Sequence, residues 1–372
     1  MSVAVGDGAV VSSVAAAAYT VPTDEPEADG TISWEATTIV VVQVHAGDLV
    51  GTGWTYGSPV IAPLVEKSLA PVVVGSDVLG NVATWSAMVR ALRNIGRRGL
   101  AGMGLSAVDC ALWDLKARVL GLPLHRLLGS GRDSVPLYGS GGFTTYTADR
   151  LAQQLTAWVE DDGMRRVKIK IGESWGSRPD RDLERARQAR EVVGPDVELF
   201  VDANGGYDVG QAVRVGRDLD ELGVRWFEEP VSSDDLTGLG VVRRAVLADV
   251  AAGEYGDSLD YFHTLCRANV LDCVQVDVTR CGGITELLRV AAVAAGAQLD
   301  VSGHCAPHEH AAVLAAVPNL RHLEYFHDHV RIERLFFDGI PAPVDGQLPL
   351  PTERPGNGLS FRTDRAERYR AR

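Results

Sequence analysis

Residues 167–172 read VKIKIG, and the reading of this short stretch decides the fold. Four of the six positions are glycine or β-branched and apolar, a composition that fits a buried strand of a parallel sheet. Side chains alternate across a strand, so Lys168 and Lys170 share one face and Ile169 takes the other. An ammonium buried without a partner is costly. A core strand with two of them on one face therefore needs anionic company near its end.

The same grammar recurs on both sides of that stretch. The runs VPLYGS (135–140), RVKIKIG (166–172), VELFVDAN (197–204), VRWFEEP (224–230), DVAAGE (249–254), CVQVDV (273–278), QLDVSGH (298–304) and RHLEYF (321–326) alternate with amphipathic stretches such as 180–193 and 208–222. Eight strand-like runs with helical connections predict a closed parallel barrel rather than an open sheet. Upstream, ATTIVVVQVH (36–45) and LVGTGWTY (49–56), joined by AGD, read as an antiparallel hairpin, with helical patterns at about 59–70, 81–95 and 103–120. The first third is thus α+β. The Pro- and Gly-rich QLPLPTERPGNGL (347–359) has no period and is expected to leave the barrel and cross back over the first domain. The expected organisation is an α/β chain: a capping domain over 1–130, a barrel over 131–350 and a returning segment over 351–372.

Composition narrows the function classes. The 372 residues are 46% apolar and 23% charged, as in an ordinary globular protein. A net charge of −13 leaves no basic excess to neutralise phosphates, which excludes a general nucleic-acid binder. The N-terminal MSVAVGDGAVVSSVAAAAYT lacks a positive n-region and reads poorly as a secretion signal, and no other stretch is long and apolar enough to span a membrane. Cys110, Cys266, Cys273, Cys281 and Cys305 are odd in number and form no CxxC pair, so reduced thiols in a cytoplasmic protein are expected, with no metal role.

The strand ends carry the chemistry. Asp202, Glu228, Glu254, Asp277, His304 and Glu324 each close or follow one run, at intervals of 26, 26, 23, 27 and 20 residues. These are lengths of one βα unit, so one ionisable group recurs at the end of each successive strand, where barrel active sites lie. Three carboxylates converging on a cavity repel one another unless a cation sits between them. Oxygen ligands from separate strands suit a hard divalent ion, Mg²⁺ above all. Lys168 and Lys170 face the same cavity, and a desolvated lysine lined by cations becomes a base near neutral pH. On the opposite wall His304 is the other candidate base, with Asp277 to hold its tautomer, and Glu324 is placed to donate a proton or hydrogen bond. These parts describe abstraction of an α-proton from a metal-chelated carboxylate through an enediolate.

With SAVDCALWDLKARVLGLPLHRLLG, VKIKIG, VDANGGY, WFEEP, AAGE, QVDVTRCGGITE and SGH in place, nearly the whole chain resembles the enolase superfamily, in its mandelate racemase subgroup. A Lys or His base working with Mg²⁺ is an established pattern of that superfamily. The resemblance implies a modified TIM barrel, (β/α)7β, under an N-terminal capping domain. It implies Asp202, Glu228 and Glu254 as metal ligands, Lys170 assisted by Lys168 as one base, the His304–Asp277 pair as the other, and Glu324 as the enediolate donor. The lactonising and epimerase branch carries a lysine where this chain has Asp277, which places the chain in the racemase and acid-sugar dehydratase branch. Dehydration of an aldonic or aldaric acid ranks first, and racemisation or epimerisation of a 2-hydroxy acid second. A homo-oligomer, dimer or octamer, is also implied. A non-catalytic barrel fits poorly, since all eight positions are filled, and a metal-dependent hydrolase fits poorly, since none of the three expected ligands is histidine.

In this family loops of the first domain close over the barrel. Here they are expected at about 19–34 and 51–58, with Trp34, Trp54 and Tyr56 as lid contacts, and Asn204 and His327 as further substrate contacts. The first loop has no Arg or Lys to clamp a second carboxylate, which favours a monocarboxylic sugar acid. Six of the nine histidines fall within 304–329. A second metal site from His308, His310, His327 and His329 is one reading, and one or two of them lining the substrate cavity is the preferred one.

Overall fold

The computed structural model describes residues 9–371, so the first eight residues of the N-terminal segment lie outside the described residues. Three antiparallel strands open the chain: β1 (Ser13–Ala28), β2 (Ser33–Ala46) and β3 (Leu49–Tyr56), in the order β1-β2-β3. The expected hairpin is β2–β3. The expected loop at 19–34 is instead the tip of a long β1–β2 hairpin, with only 29–32 outside the strands. Pro22 and Pro26 obscure β1 in the sequence, and they are tolerated because β1 is an edge strand whose register shifts between Pro22 and Glu27. The expected loop at 51–58 falls mostly within β3.

Helix Leu100–Val119 packs across this sheet. The approach is close enough that a methyl group on Gly51 or Gly53 would come 2.2 Å from the Ala111 carbonyl oxygen or 2.4 Å from that of Ala107. Two buried carboxylates tie this helix to the rest of the chain. Asp109 accepts from the amide and hydroxyl of Thr285, at 2.8 and 2.7 Å, in the first turn of barrel helix Gly283–Gly296. Asp114 accepts from the amides of Thr52 and Asn357 at 2.8 and 2.6 Å. Burial pushes the Asp109 carboxyl up to about 7.

Eight parallel strands form the barrel: β4 (Ser134–Gly141), β5 (Arg166–Lys170), β6 (Glu198–Asp202), β7 (Val224–Glu228), β8 (Asp249–Ala252), β9 (Cys273–Val276), β10 (Asp300–Gly303) and β11 (Leu320–Phe326). Pairing of β11 with β4 closes the ring. Seven helical connections join the eight strands, the one after β5 opening with a short extra turn at Glu173–Gly176, and a further helix, His327–Phe336, follows β11. Several helix starts are fixed by side-chain caps, among them Thr147, Asp208, Asp235 and Ser258, each accepting from an amide three residues on. Beyond the barrel, β12 (Phe337–Asp338) pairs with β14 (Ser360–Phe361), and β13 (Gln347–Pro349) adds antiparallel to β4. The final segment lies against the first sheet, where the Ala371 amide donates to the Ala18 carbonyl at 2.9 Å. No described helix is long and apolar enough to cross a membrane.

Candidate active site

Strand register decides which polar side chains meet inside the barrel. Val167 and Ile169 of β5 join the apolar layer under the helices, which leaves Lys168 and Lys170 for the interior. Lys170, Asp202 and Glu228 are direct cross-strand partners on β5, β6 and β7, and Glu254 follows β8. The carboxylates of Asp202, Glu228 and Glu254 are buried, with ligand-capable oxygens within 4.8 Å of one another. Lys170 Nζ donates to Asp202 Oδ2 at 2.5 Å, and Lys168 Nζ to Glu228 Oε1 at 2.5 Å and Glu324 Oε1 at 2.8 Å. Ser140, next to the end of β4 where the sequence offers no ionisable residue, donates its hydroxyl to Glu324 Oε1 at 2.5 Å. Across the mouth, His304 Nδ1 lies 2.8 Å from Asp277 Oδ2, and its Nε2 lies 3.0 Å from Glu254 Oε2. All eight strand-end residues expected from the sequence therefore stand in one interior.

Their electrostatics differ from the sequence expectation. Burial alone lowers a lysine pKa, but the Glu228 and Glu324 carboxylates outweigh it at Lys168 and the Asp202 carboxylate does so at Lys170, so both ammonium groups are held well above their usual range. Their neighbours are carboxylates rather than the expected cations. Burial likewise lowers His304, and Cys305, Glu254 and Asp277 together raise it well above its ordinary value. At Glu324 the Lys168 ammonium outweighs burial and holds the carboxyl below its usual range, where it accepts from Lys168, Ser140 and the Cys305 amide. Burial pushes Glu228 up to about 8, against the pull of Lys168.

A cavity of about 210 Å³ opens above these groups. Trp34 and Asn204 line it as expected. Trp54 and Tyr56 do not line it; they lie buried on β3, bonded to Glu333 Oε1 at 3.0 and 3.2 Å. His327 is also outside the lining, 3.5 Å from Asp24 on the hairpin, and its place is taken by His329, stacked on Tyr56 with ring centroids 3.4 Å apart. Sequence reasoning missed Arg280, which reaches Glu254 Oε1 and Asp277 Oδ2, each at 3.3 Å. It also missed Glu229 and Cys305. Each is adjacent to a residue that was found, in WFEEP and SGHC, and that adjacency was the available signal.

The donor set fits a hard divalent cation. Three buried carboxylates crowd within 4.8 Å. Beside them Glu229 Oε1 and Asn204 Oδ1 are buried without any hydrogen-bond partner. Asp202, Glu228 and Glu254 could hold such an ion through oxygen alone.

Comparison with known proteins agrees with this architecture. Residues 14–129 match the N-terminal domain of the mandelate racemase / muconate lactonizing enzyme family, and residues 150–365 match the enolase C-terminal domain-like family. The chain is 31% identical over 350 residues to the arabinonate dehydratase of Saccharolobus solfataricus, covering 90% of this chain and 91% of that protein. The crystal structure of a mandelate racemase/muconate lactonizing enzyme-like protein from Rubrobacter xylanophilus superposes with a TM-score of 0.93 at 47% identity, over 97% of this chain and all of that one. A racemase from Streptomyces coelicolor with bound magnesium gives a TM-score of 0.91 at 30% identity, over 97% of this chain and 100% of that one. A closed parallel barrel, its polar strand ends and matches across both halves of the sequence lead to one assignment: the chain belongs to the mandelate racemase subgroup of the enolase superfamily.

Proposed function

We propose that this enzyme removes the α-proton of a small carboxylate substrate and dehydrates an acid sugar to its 2-keto-3-deoxy product. The observation that supports this reading best is that Lys170 and His304 line one cavity together with Glu254, whose carboxylate clusters with those of Asp202 and Glu228 buried beside it. Asp202, Glu228 and Glu254 hold Mg²⁺ in this reading. When bound, Mg²⁺ supplies Lewis-acid stabilisation of the developing enediolate charge and takes up carboxylate charge that otherwise keeps protons on the neighbouring bases. Lys170 Nζ or His304 Nε2 takes the α-proton, according to the configuration of the substrate. For dehydration, the group on the departing hydroxyl's side delivers a proton to that oxygen. Asp277 Oδ2 fixes the His304 tautomer through Nδ1. Lys168, aligned by Glu228 and Glu324, supplies positive charge beside the substrate carboxylate. Trp34 and the hairpin tip at Asp29 and Ile32 exclude water from above.

The substrate is read as a monocarboxylic sugar acid. The lysine and the arginine of the lining, Lys170 and Arg280, are already engaged by carboxylates. Neither is free to clamp a second carboxylate. A screen of purified enzyme with Mg²⁺ against mono- and diacid sugars, detecting 2-keto-3-deoxy product, tests the reaction, and faster turnover of a diacid than of every monoacid sinks the substrate assignment. The facing bases also favour a second reading, racemisation or epimerisation of a 2-hydroxy acid. It is recognised by solvent deuterium entering the α-position without loss of water.

A further inference from the structure

The four C-terminal histidines do not assemble into the second metal site considered from the sequence. His308 Nδ1 pairs with Glu333 at 2.5 Å, His310 Nε2 accepts from the Val278 amide at 2.8 Å, and His329 Nδ1 accepts from the Ala306 amide at 3.1 Å. A different trio, on consecutive strand ends, does stand together. We propose that His304 Nε2, Cys305 Sγ and Glu324 Oε2 form a second cation site, selective for a soft divalent ion of the Zn²⁺ class, whose occupancy takes His304 out of proton transfer.

The geometry carries the assignment. Sγ lies 3.2 Å from Nε2 and 3.4 Å from Oε2, and Nε2 lies 3.8 Å from Oε2. Zinc bonds of about 2.3 Å to sulfur and about 2.0–2.1 Å to nitrogen and oxygen, at tetrahedral angles, require ligand separations of about 3.3–3.6 Å. Small side-chain adjustments close that gap. Each ligand is also already aimed. Nδ1 of His304 is tied to Asp277, which presents Nε2 for donation, the usual outer-sphere support of a zinc-bound histidine. Glu324 Oε1 is taken by Lys168 and Ser140, leaving Oε2 toward the thiol. The backbone turns through the left-handed region at Cys305 (φ 51) and Ala306 (φ 37), where non-glycine residues are uncommon. The Cys305 amide donates to Glu324 Oε2 at 3.0 Å, and this turn brings the thiol back beside the preceding imidazole.

The two clusters differ in chemistry. Asp202, Glu228 and Glu254 offer oxygen only, which suits Mg²⁺; the second trio offers nitrogen, sulfur and one oxygen, which suits Zn²⁺. On binding, the ion displaces two protons to solvent, one from the Cys305 thiol and one from Nε2 of the protonated His304, and accepts the Nε2 lone pair so freed. His304 and Cys305 both line the cavity, so a fourth ligand position is open to water. This departs from the expectation that no cysteine has a metal role. The effect on proton transfer rests on the role proposed for His304, whereas binding is read without substrate and stands or falls separately.

The test titrates the Mg²⁺-saturated protein with Cd²⁺ and follows the ultraviolet thiolate-to-cadmium charge-transfer band. The expected result is a single-equivalent band that Zn²⁺ displaces and that Cys305→Ser abolishes. With a turned-over substrate in hand, Zn²⁺ inhibits at excess Mg²⁺, and Cys305→Ser raises the inhibitory concentration about 10–100-fold against its own zinc-free rate. If the serine variant does not fold, as judged by thermal melting, Cys305→Ala is read the same way. A band that survives in both variants, or zinc inhibition relieved by more Mg²⁺, overturns the proposal by placing the ion at another thiol or on the Asp202 cluster.

Discussion

The same barrel strands build two interiors of opposite character. Toward the floor the inward positions are Tyr138, Phe200, Trp226, Ala251 and Cys273, a packed cluster with His322 among the rings. Toward the mouth the inward positions two residues on are Ser140, Asp202 and Glu228, joined by Lys168, Lys170 and Glu324. Phe200 and Asp202 share β6, Trp226 and Glu228 share β7, and His322 and Glu324 share β11. One step of two residues along a strand separates groups held by packing from groups held by charge. The floor fixes strand spacing, and the mouth uses that rigidity to hold like charges at distances they would otherwise not keep.

The largest expected effects lie at the mouth. Lys170→Ala and His304→Ala each lower kcat by about 10²–10⁴-fold, the usual worth of a positioned acid or base. Circular dichroism of both variants stays native, because neither side chain contributes to the aromatic floor. Chelation of the metal removes activity as completely and lowers Tm, since an ion bound only by the folded protein stabilises it by mass action. Unchanged melting on chelation would break the assignment of Asp202, Glu228 and Glu254 as its ligands.

At the floor the expectation reverses. Phe200 is 2% exposed and touches the rings of Tyr138, Trp226 and His322, with centroids at 5.4, 5.5 and 5.4 Å. Phe200→Ala costs about 3–5 kcal/mol of unfolding free energy, measured by denaturant titration, while kcat per folded molecule stays within a few-fold. A loss of turnover as large as at Lys170, with stability intact, would erase the distinction between the two ends.

That contrast was largely legible in the sequence at the mouth, and poorly at the floor and lid. Asp202, Glu228, Asp277, His304 and Glu324 were found because each interrupts or ends an apolar run, and chain connectivity converts that spacing into proximity. Cys305 and Arg280 were missed because they lie past the strand ends, where left-handed turns and side-chain length rather than alternation decide direction. Tyr56 reads as a lid contact, although β3 turns it toward His329 and Glu333; from the sequence alone nothing says which face of β3 the final helices cover. β1 escaped notice because TDEPEA carries two of an edge strand's tolerated faults, proline and charge, without the alternation of a half-buried strand.

Asp109 sharpens the comparison from outside the barrel interior. Its carboxyl is displaced as Glu228's is, up to about 7, yet it bonds Thr285 at the joint between the first domain and the barrel. Displacement alone therefore does not mark a chemical role. The folded pKa is raised above an unfolded value of about 4, so its stabilising contribution is full below pH 4 and is lost as pH rises through about 7. Asp109→Asn, which cannot ionise, is expected to flatten that part of the stability-versus-pH curve between about pH 4 and 7. An unaltered slope in the variant would assign the pH dependence to the mouth instead.

The smallest expected effect falls where the two interiors touch. Trp226 belongs to the floor by its ring, stacked 5.5 Å from Phe200, and to the mouth by its indole N–H, which donates to Glu228 Oε2 at 2.8 Å. Trp226→Phe keeps most of the apolar contact and removes only the donor. If the floor acts on the mouth through packing alone, the change costs under about 1.5 kcal/mol as an ordinary lost hydrogen bond, and metal affinity is untouched. If the floor also orients the proposed ligand, Mg²⁺ affinity by calorimetry falls about tenfold, as when an outer partner of a metal ligand is lost. The second outcome is expected, because Glu228 has Lys168 on Oε1 and Trp226 on Oε2, and a carboxylate that loses the Trp226 donor is freer to turn away from Asp202.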